Sequence, residues 1–256
     1  MTLKFQNTSI YYSTKGTGNP LVLLHGFLES SKIWEPFIAG FAVKRQVVCI
    51  DLPGHGRSGI ISEVHSMELM ADVVKAVLDH LKISSATILG HSMGGYVTLA
   101  FCEKFPQSTS GIILMNSTPV EDTAEKKINR DRSVDVVKRN KKAYIDAAIS
   151  GLVTPENNIK FKAEIDKIKD HANTFPTNGI TAALLGMKIR TNKTEVLKKF
   201  NKLKIIVSGK NDPIMPYKQS ILIAEECNCK FLSMPDGHLS YLENSAEIDK
   251  FVHFID

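Results

Sequence analysis

Short, uninterrupted apolar runs, each closed by glycine, proline or a polar turn, recur along the chain. They are Leu21-Val22-Leu23-Leu24, Val47-Val48-Cys49-Ile50, Ala86-Thr87-Ile88-Leu89, Gly111-Ile112-Ile113-Leu114-Met115, Lys204-Ile205-Ile206-Val207-Ser208 and Lys230-Phe231-Leu232-Ser233-Met234. Runs of four to five residues without alternation suit strands buried on both faces, as in a parallel sheet. Between residues 66 and 81 the period changes: Met70, Val73, Val74, Val77, Leu78 and Leu81 recur every three or four positions, the stripe of an amphipathic helix. Val97, Ala100 and Phe101 keep helical spacing until Phe105-Pro106 ends it. Strands alternating with helices predict a mainly parallel sheet with helices on both faces and right-handed crossovers. At the start, residues 3–5 and 10–13 read as a hairpin of two short strands around Asn7-Thr8-Ser9.

The alternation stops near Thr118-Pro119. Residues 118–190 are charged and helical in pattern, with breaks at Thr154-Pro155, Phe175-Pro176 and Asn178-Gly179 and no strand signal. The expected organisation is therefore a core of residues 1–117 and 191–256 interrupted by a helical cap at 118–190. Asn244, with Glu247 three residues on, resembles a helix start, and Ile248, Phe251, Val252 and Ile255 give the closing helix its apolar face.

A chain of 256 residues can bury one large α/β core with an insertion, and 43% hydrophobic with 23% charged content fits a soluble globular protein. No run approaches the ~18 to 20 apolar residues of a membrane span, and residues 1–12 lack a basic stretch followed by an apolar block, so the expected location is cytoplasmic. Cys49, Cys102, Cys227 and Cys229 are too few and too poorly spaced for a disulfide framework or a zinc site and read as reduced structural residues. The net charge of +5 is modest, but residues 126–142 hold eight basic and two acidic side chains. A solvated helix face explains this more simply than nucleic acid, because no nucleic-acid motif or interleaved aromatics accompany it; steering of anionic substrates is the lesser alternative.

The candidate chemistry centres on Gly90-His91-Ser92-Met93-Gly94-Gly95, between a predicted strand and a predicted helix. In a G-x-S-x-G turn the glycines let the chain reverse so sharply that the serine is strained and exposed, with the helix N-terminus aimed at it. A serine hydroxyl is a weak nucleophile and needs a base held by a third group. Of eight histidines, His238 in the turn Pro235-Asp236-Gly237-His238 lies just past the last strand, whereas His80 and His253 fall on predicted helices. Asp212, in Gly209-Lys210-Asn211-Asp212-Pro213 after the preceding strand, is the preferred acid. Asp236 competes for that role, although its place two residues before the base suits a turn, and the position after residues 112–115 offers only Asn116 and Ser117. Trp34 and Met215 are more simply core residues than pocket lining.

Together with His25-Gly26-Phe27 and Asp51-Leu52-Pro53-Gly54-His55-Gly56-Arg57-Ser58, these motifs make the chain resemble, over nearly its whole length, an α/β-hydrolase of the serine-hydrolase branch that includes carboxylesterases, lipase-like enzymes and carbon–carbon bond hydrolases. The resemblance implies Ser92 as nucleophile, His238 as base, Asp212 as its orienter, and the backbone N–H groups of Phe27 and Met93 as the oxyanion hole. It implies no metal and no organic cofactor. His25 and Gly26 would shape the oxyanion loop, residues 51–58 would order a neighbouring loop, and His91 would fill space beside the nucleophile. A serine at the elbow separates the chain from haloalkane dehalogenases and epoxide hydrolases, which carry aspartate there. The expected activity is cleavage of a small carboxylic ester, with diketone hydrolysis, cofactor-independent perhydrolysis and a small-molecule receptor as alternatives. The expected partner is a small-molecule substrate, with neither nucleic acid nor membrane.

Overall fold

The strands β1 (Thr2–Phe5), β2 (Thr8–Lys15), β3 (Asn19–Leu24), β4 (Arg45–Ile50), β5 (Ala86–His91), β6 (Thr109–Met115), β7 (Leu203–Gly209) and β8 (Lys230–Met234) join one sheet in the order β1-β2-β4-β3-β5-β6-β7-β8. This is a computed structural model, and it describes residues 1–252. Only the β1–β2 and β2–β4 pairings are antiparallel; from β4 to β8 all neighbours are parallel. Six expected strands are present, most extended by a residue or two where the flanking backbone continues the ladder. The hairpin at the start turns at Gln6 and Asn7 rather than at residues 7–9. Thr8 already pairs with Phe5, as a β-branched residue favours, and Gln6 takes the positive φ of 51° that the tight reversal needs.

Successive side chains of a strand point to opposite faces, and β6 shows where each face leads. Ile112 and Leu114 pack with Leu99, Cys102, Leu197, Ile223 and Cys227, while Ile113 and Met115 enter the larger cluster with Leu23, Val97, Val207 and Ile248. Both faces are therefore covered, which is why these strands carry unbroken apolar runs.

The helices are α1 (Glu35–Phe41), α2 (Met67–His80), α3 (Met93–Lys104), α4 (Ala124–Arg139), α5 (Lys141–Ser150), α6 (Pro155–Lys160), α7 (Lys162–Asn173), α8 (Thr177–Ile189), α9 (Thr194–Lys199), α10 (Tyr217–Glu226), α11 (Ser240–Glu243) and α12 (Ser245–Val252). Helix α2 matches its predicted stripe, and Ser66 caps it by accepting from the Leu69 N–H at 3.1 Å. Helices α4 to α9 fill the interval between β6 and β7, with no strand among them. Thr154 caps α6 and Pro155 opens it, in keeping with the expected break. Asn178-Gly179 is not a break: it lies in the first turn of α8. There Gly179 touches Gly54 so closely that an added Cβ would sit 2.7 Å from the Gly54 carbonyl oxygen, so close approach rather than flexibility accounts for the glycine. Helix α12 begins just after Asn244, whose carbonyl accepts from the Glu247 and Ile248 N–H groups, while the side-chain amide of Asn244 finds no partner among the described residues. Ile248 and Phe251 are buried; the side chain of Val252, and His253 and Ile255 entirely, lie outside the described residues. Among the described residues, no helix is long and apolar enough to cross a membrane, and all four cysteines are free.

Candidate active site

Ser92 is the hinge between β5 and α3, with φ 49° and ψ −113°, a conformation a non-glycine residue holds only under constraint. The constraint comes from three bonds: the Ser92 N–H donates to the Met115 carbonyl at 2.9 Å, and its own carbonyl accepts from the Gly95 N–H at 2.9 Å and the Ser117 hydroxyl at 2.8 Å. The flanking glycines are required by contact. A Cβ on Gly90 would lie 2.2 Å from the Gly94 carbonyl oxygen, and one on Gly94 would lie 2.6 Å from that of Leu24.

The loops leaving β7 and β8 bring Asp212 and His238 to this turn. His238 Nε2 lies 2.9 Å from Ser92 Oγ, and His238 Nδ1 lies 2.8 Å from Asp212 Oδ2. An ionised carboxylate offers only lone pairs, so Nδ1 carries a proton, which leaves Nε2 as the ring atom facing the serine hydroxyl. Asp212 accepts at both oxygens: Oδ1 from the Ile214 and Met215 N–H groups at 2.8 and 2.9 Å, and Oδ2 also from Asn116 Nδ2 at 2.9 Å. Burial alone would raise its pKa, but the facing imidazole and these donors outweigh burial and hold the carboxyl below its usual value. Asn116 also reaches the Gly237 carbonyl at 3.2 Å, so one amide ties Asp212 to the His238 loop. Among the described residues the Asp236 carboxylate forms no hydrogen bond or ion pair with His238; its carbonyl accepts from the Asn211 N–H, a turn role. The His238 N–H donates to the Leu152 carbonyl just past α5, at 3.2 Å.

His91 does more than fill space. Its Nδ1 lies 2.9 Å from Glu29 Oε2 and its Nε2 lies 2.9 Å from the His238 carbonyl, two acceptors that only an imidazolium can satisfy together. Burial would drive this histidine neutral, but the Glu29 charge raises its pKa; burial would likewise protonate Glu29, and the His91 charge lowers it instead. Glu29 also accepts from the Gly26 N–H at 2.6 Å and the Tyr241 hydroxyl at 2.9 Å, so one buried ion pair links the Gly26 loop, the turn at Ser92 and the His238 loop. Sequence reasoning missed Glu29, because a loop carboxylate betrays its burial only in three dimensions.

Phe27 and Met93 flank the serine. The Phe27 N–H has no acceptor among the described residues, and Met93, as the first residue of α3, has none within its helix. His25 Nε2 accepts from the Leu52 N–H at 2.9 Å, and Asp51 accepts from the Ser31 and Arg57 N–H groups, each at 2.8 Å, so residues 51–58 form an ordered loop as expected. His55 in that loop is fully buried, and desolvation with the nearby His25 pushes its pKa down to about 3.

A cavity of about 220 Å³ opens on Ser92 and His238, lined also by Phe27, Tyr96, Arg130, Tyr144, Leu152 and Ile214. Trp34 and Met215 are buried and do not line it, in line with their core reading. Arg130, expected on a solvated face, instead donates from Nε to the buried Asp122 at 3.0 Å, with its side chain only 24% exposed. Among the described residues, no three His, Cys, Asp or Glu side chains are grouped as metal ligands would be.

The family model described as "alpha/beta hydrolase fold" matches residues 19–148. A thermophilic esterase from Thermogutta terrifontis superposes with a TM-score of 0.92 at 28% identity, covering 98% of this chain and 94% of that one. The dihydrolipoyllysine-residue acetyltransferase component of an acetoin cleaving system from Pseudomonas putida is 39% identical over 100 residues, 39% of this chain and 27% of that protein. A putative non-heme haloperoxidase from Mycobacterium phage D29 is 37% identical over 106 residues, 41% of this chain and 38% of its own. The match thus spans well under half the length of these two curated relatives.

Proposed function

The chain belongs to the α/β-hydrolase fold family, and from that premise we propose that it is a serine hydrolase cleaving a small carboxylic ester through an acyl-enzyme. The observation that carries the reading is the hydrogen-bonded series from Ser92 Oγ through His238 to Asp212, at 2.9 and 2.8 Å, opening on the cavity. His238 takes the hydroxyl proton as Ser92 Oγ attacks the ester carbonyl, and the Phe27 and Met93 N–H groups hold the developing oxyanion. The collapsing intermediate expels the alcohol, which leaves with that proton from His238. A water deprotonated by His238 then attacks the acyl-enzyme, and the serine regains its proton as the acid departs. A cavity of about 220 Å³ lies below the ~300 to 1,000 Å³ of common ligand sites and favours a short substrate. The structural likeness to an esterase at 28% identity supports the ester reading.

The likeness to a putative non-heme haloperoxidase favours a second reading, in which hydrogen peroxide replaces water in the deacylation step and a peracid leaves. Steady-state hydrolysis of p-nitrophenyl esters of graded length, set beside a diketone and an acetate–peroxide assay, separates these activities. Ser92→Ala should lower turnover by roughly 10⁶-fold with the melting temperature nearly unchanged. A variant keeping a tenth of wild-type turnover would end the serine assignment, and single-turnover labelling without steady turnover would point to a receptor.

A further inference from the structure

The cavity above Ser92 is mostly apolar, with Ala148, Leu152, Met187 and Ile214 in its lining, yet an arginine of α4 is part of its wall. That arginine is Arg130, and it shares one buried carboxylate with a second arginine. Asp122 accepts from Arg130 Nε at 3.0 Å and from Arg190 Nη1 at 2.8 Å, so a single negative charge faces two positive ones. Arg190 is otherwise consumed by structure: Nη1 also donates to the Met187 carbonyl and Nη2 to that of Val120, its side chain is 6% exposed, and it lies over the Tyr96 ring at 4.0 Å. Arg130 is different. Among the described residues its terminal Nη1 and Nη2 groups have no hydrogen-bond partner.

A guanidinium fixed through Nε in the wall of this cavity, with its two terminal nitrogens unpartnered among the described residues, has a planar fork free to fit a carboxylate with two parallel hydrogen bonds. The other charged lining groups do not compete for it, since Glu29 is held by His91, Gly26 and Tyr241. The Tyr96 and Tyr144 phenols line the same cavity; burial raises both above their usual pKa, so they remain protonated and can add donors.

We propose that Arg130 forms an anion subsite, and that the substrate is an ester carrying a second, ionised carboxylate in its acyl half or its leaving group. This deepens the serine-hydrolase reading and rests on it. The subsite would choose among esters while the hydrogen-bonded series from Ser92 to Asp212 performs the cleavage.

The test compares two pairs of charged and neutral esters of similar size on the wild-type protein. In one the charge is in the acyl half, the p-nitrophenyl monoester of glutaric acid against p-nitrophenyl hexanoate; in the other it is in the leaving group, 4-acetoxybenzoate against its methyl ester. A charge-assisted hydrogen bond in such a site should raise kcat/KM for the charged member of one pair by about 10- to 100-fold, chiefly through a lower KM. Arg130→Gln should collapse that ratio toward one, Arg130→Lys should retain part of it, and Lys138→Gln, an exposed charge on the same helix, should leave it intact. Parity or a neutral preference in both wild-type pairs would overturn the subsite while leaving the hydrolase reading standing. A ratio that survives Arg130→Gln, or falls equally with Lys138→Gln, would also overturn it. No turnover of any of the four esters would fell the hydrolase reading and the subsite with it.

Discussion

Replacing Asp212 by asparagine tests the geometry most sharply, because the carboxylate has two different sides. Oδ1 accepts two backbone N–H groups at 2.8 and 2.9 Å and must remain an oxygen. The new NH₂ is therefore forced into the Oδ2 position, facing His238 Nδ1, formerly 2.8 Å away, and the NH₂ of Asn116, formerly at 2.9 Å. His238 can meet a donor there only by moving its proton to Nε2, which leaves no lone pair to accept the Ser92 proton. Asn116 can relieve its own clash by rotating its amide, because its Oδ1 has no partner among the described residues, at the expense of the 3.2 Å bond to the Gly237 carbonyl. The fold should thus lose about 1 kcal/mol, a melting shift of about 2–4 °C. Turnover should fall by about 10⁴-fold, the size of a wrong-tautomer defect in a working triad, equivalent to about 5.5 kcal/mol of barrier. Hydrolysis of p-nitrophenyl acetate by wild type and Asp212→Asn, paired with thermal melts, reads both quantities. A folded variant within tenfold of wild-type kcat would refute the proton bookkeeping.

Two further outcomes follow from the buried titratable groups. Glu29→Gln leaves the His91 imidazolium without its counter-charge, so the variant should be about 3 kcal/mol less stable in urea at pH 7. That deficit should shrink as pH rises through the elevated His91 pKa, and a pH-independent deficit would contradict the ion pair. His55, with a folded pKa of about 3 against an ordinary 6.5, stays neutral while the unfolded chain binds the proton. Stability from this residue is intact above pH 6.5 and falls as pH drops, by about 2 kcal/mol at pH 5, and His55→Phe should flatten the acid side of the urea-midpoint profile.

Much of the sheet is legible in the sequence because a strand buried on both faces needs apolar side chains at every position, as β6 shows with residues 111–115 all buried. Helix α1 escaped because Pro36 and Gly40 leave it little intrinsic preference, and it is held by burying Phe37 and Phe41. The site was legible where chemistry restricts the residue type: a serine between glycines, a histidine and an aspartate after successive strands. It was illegible where a common residue acts through position. Asn116 was passed over for lacking a carboxylate, although its value lies in donating to one. Arg130 is indistinguishable in sequence from the seven other basic residues among 126–142, since only the fold turns it inward to Asp122.

The bond from the His238 N–H to the Leu152 carbonyl joins the imidazole loop to the helical segment roofing the cavity. Displacement of Leu152 would therefore pull directly on the backbone of the residue proposed as the base.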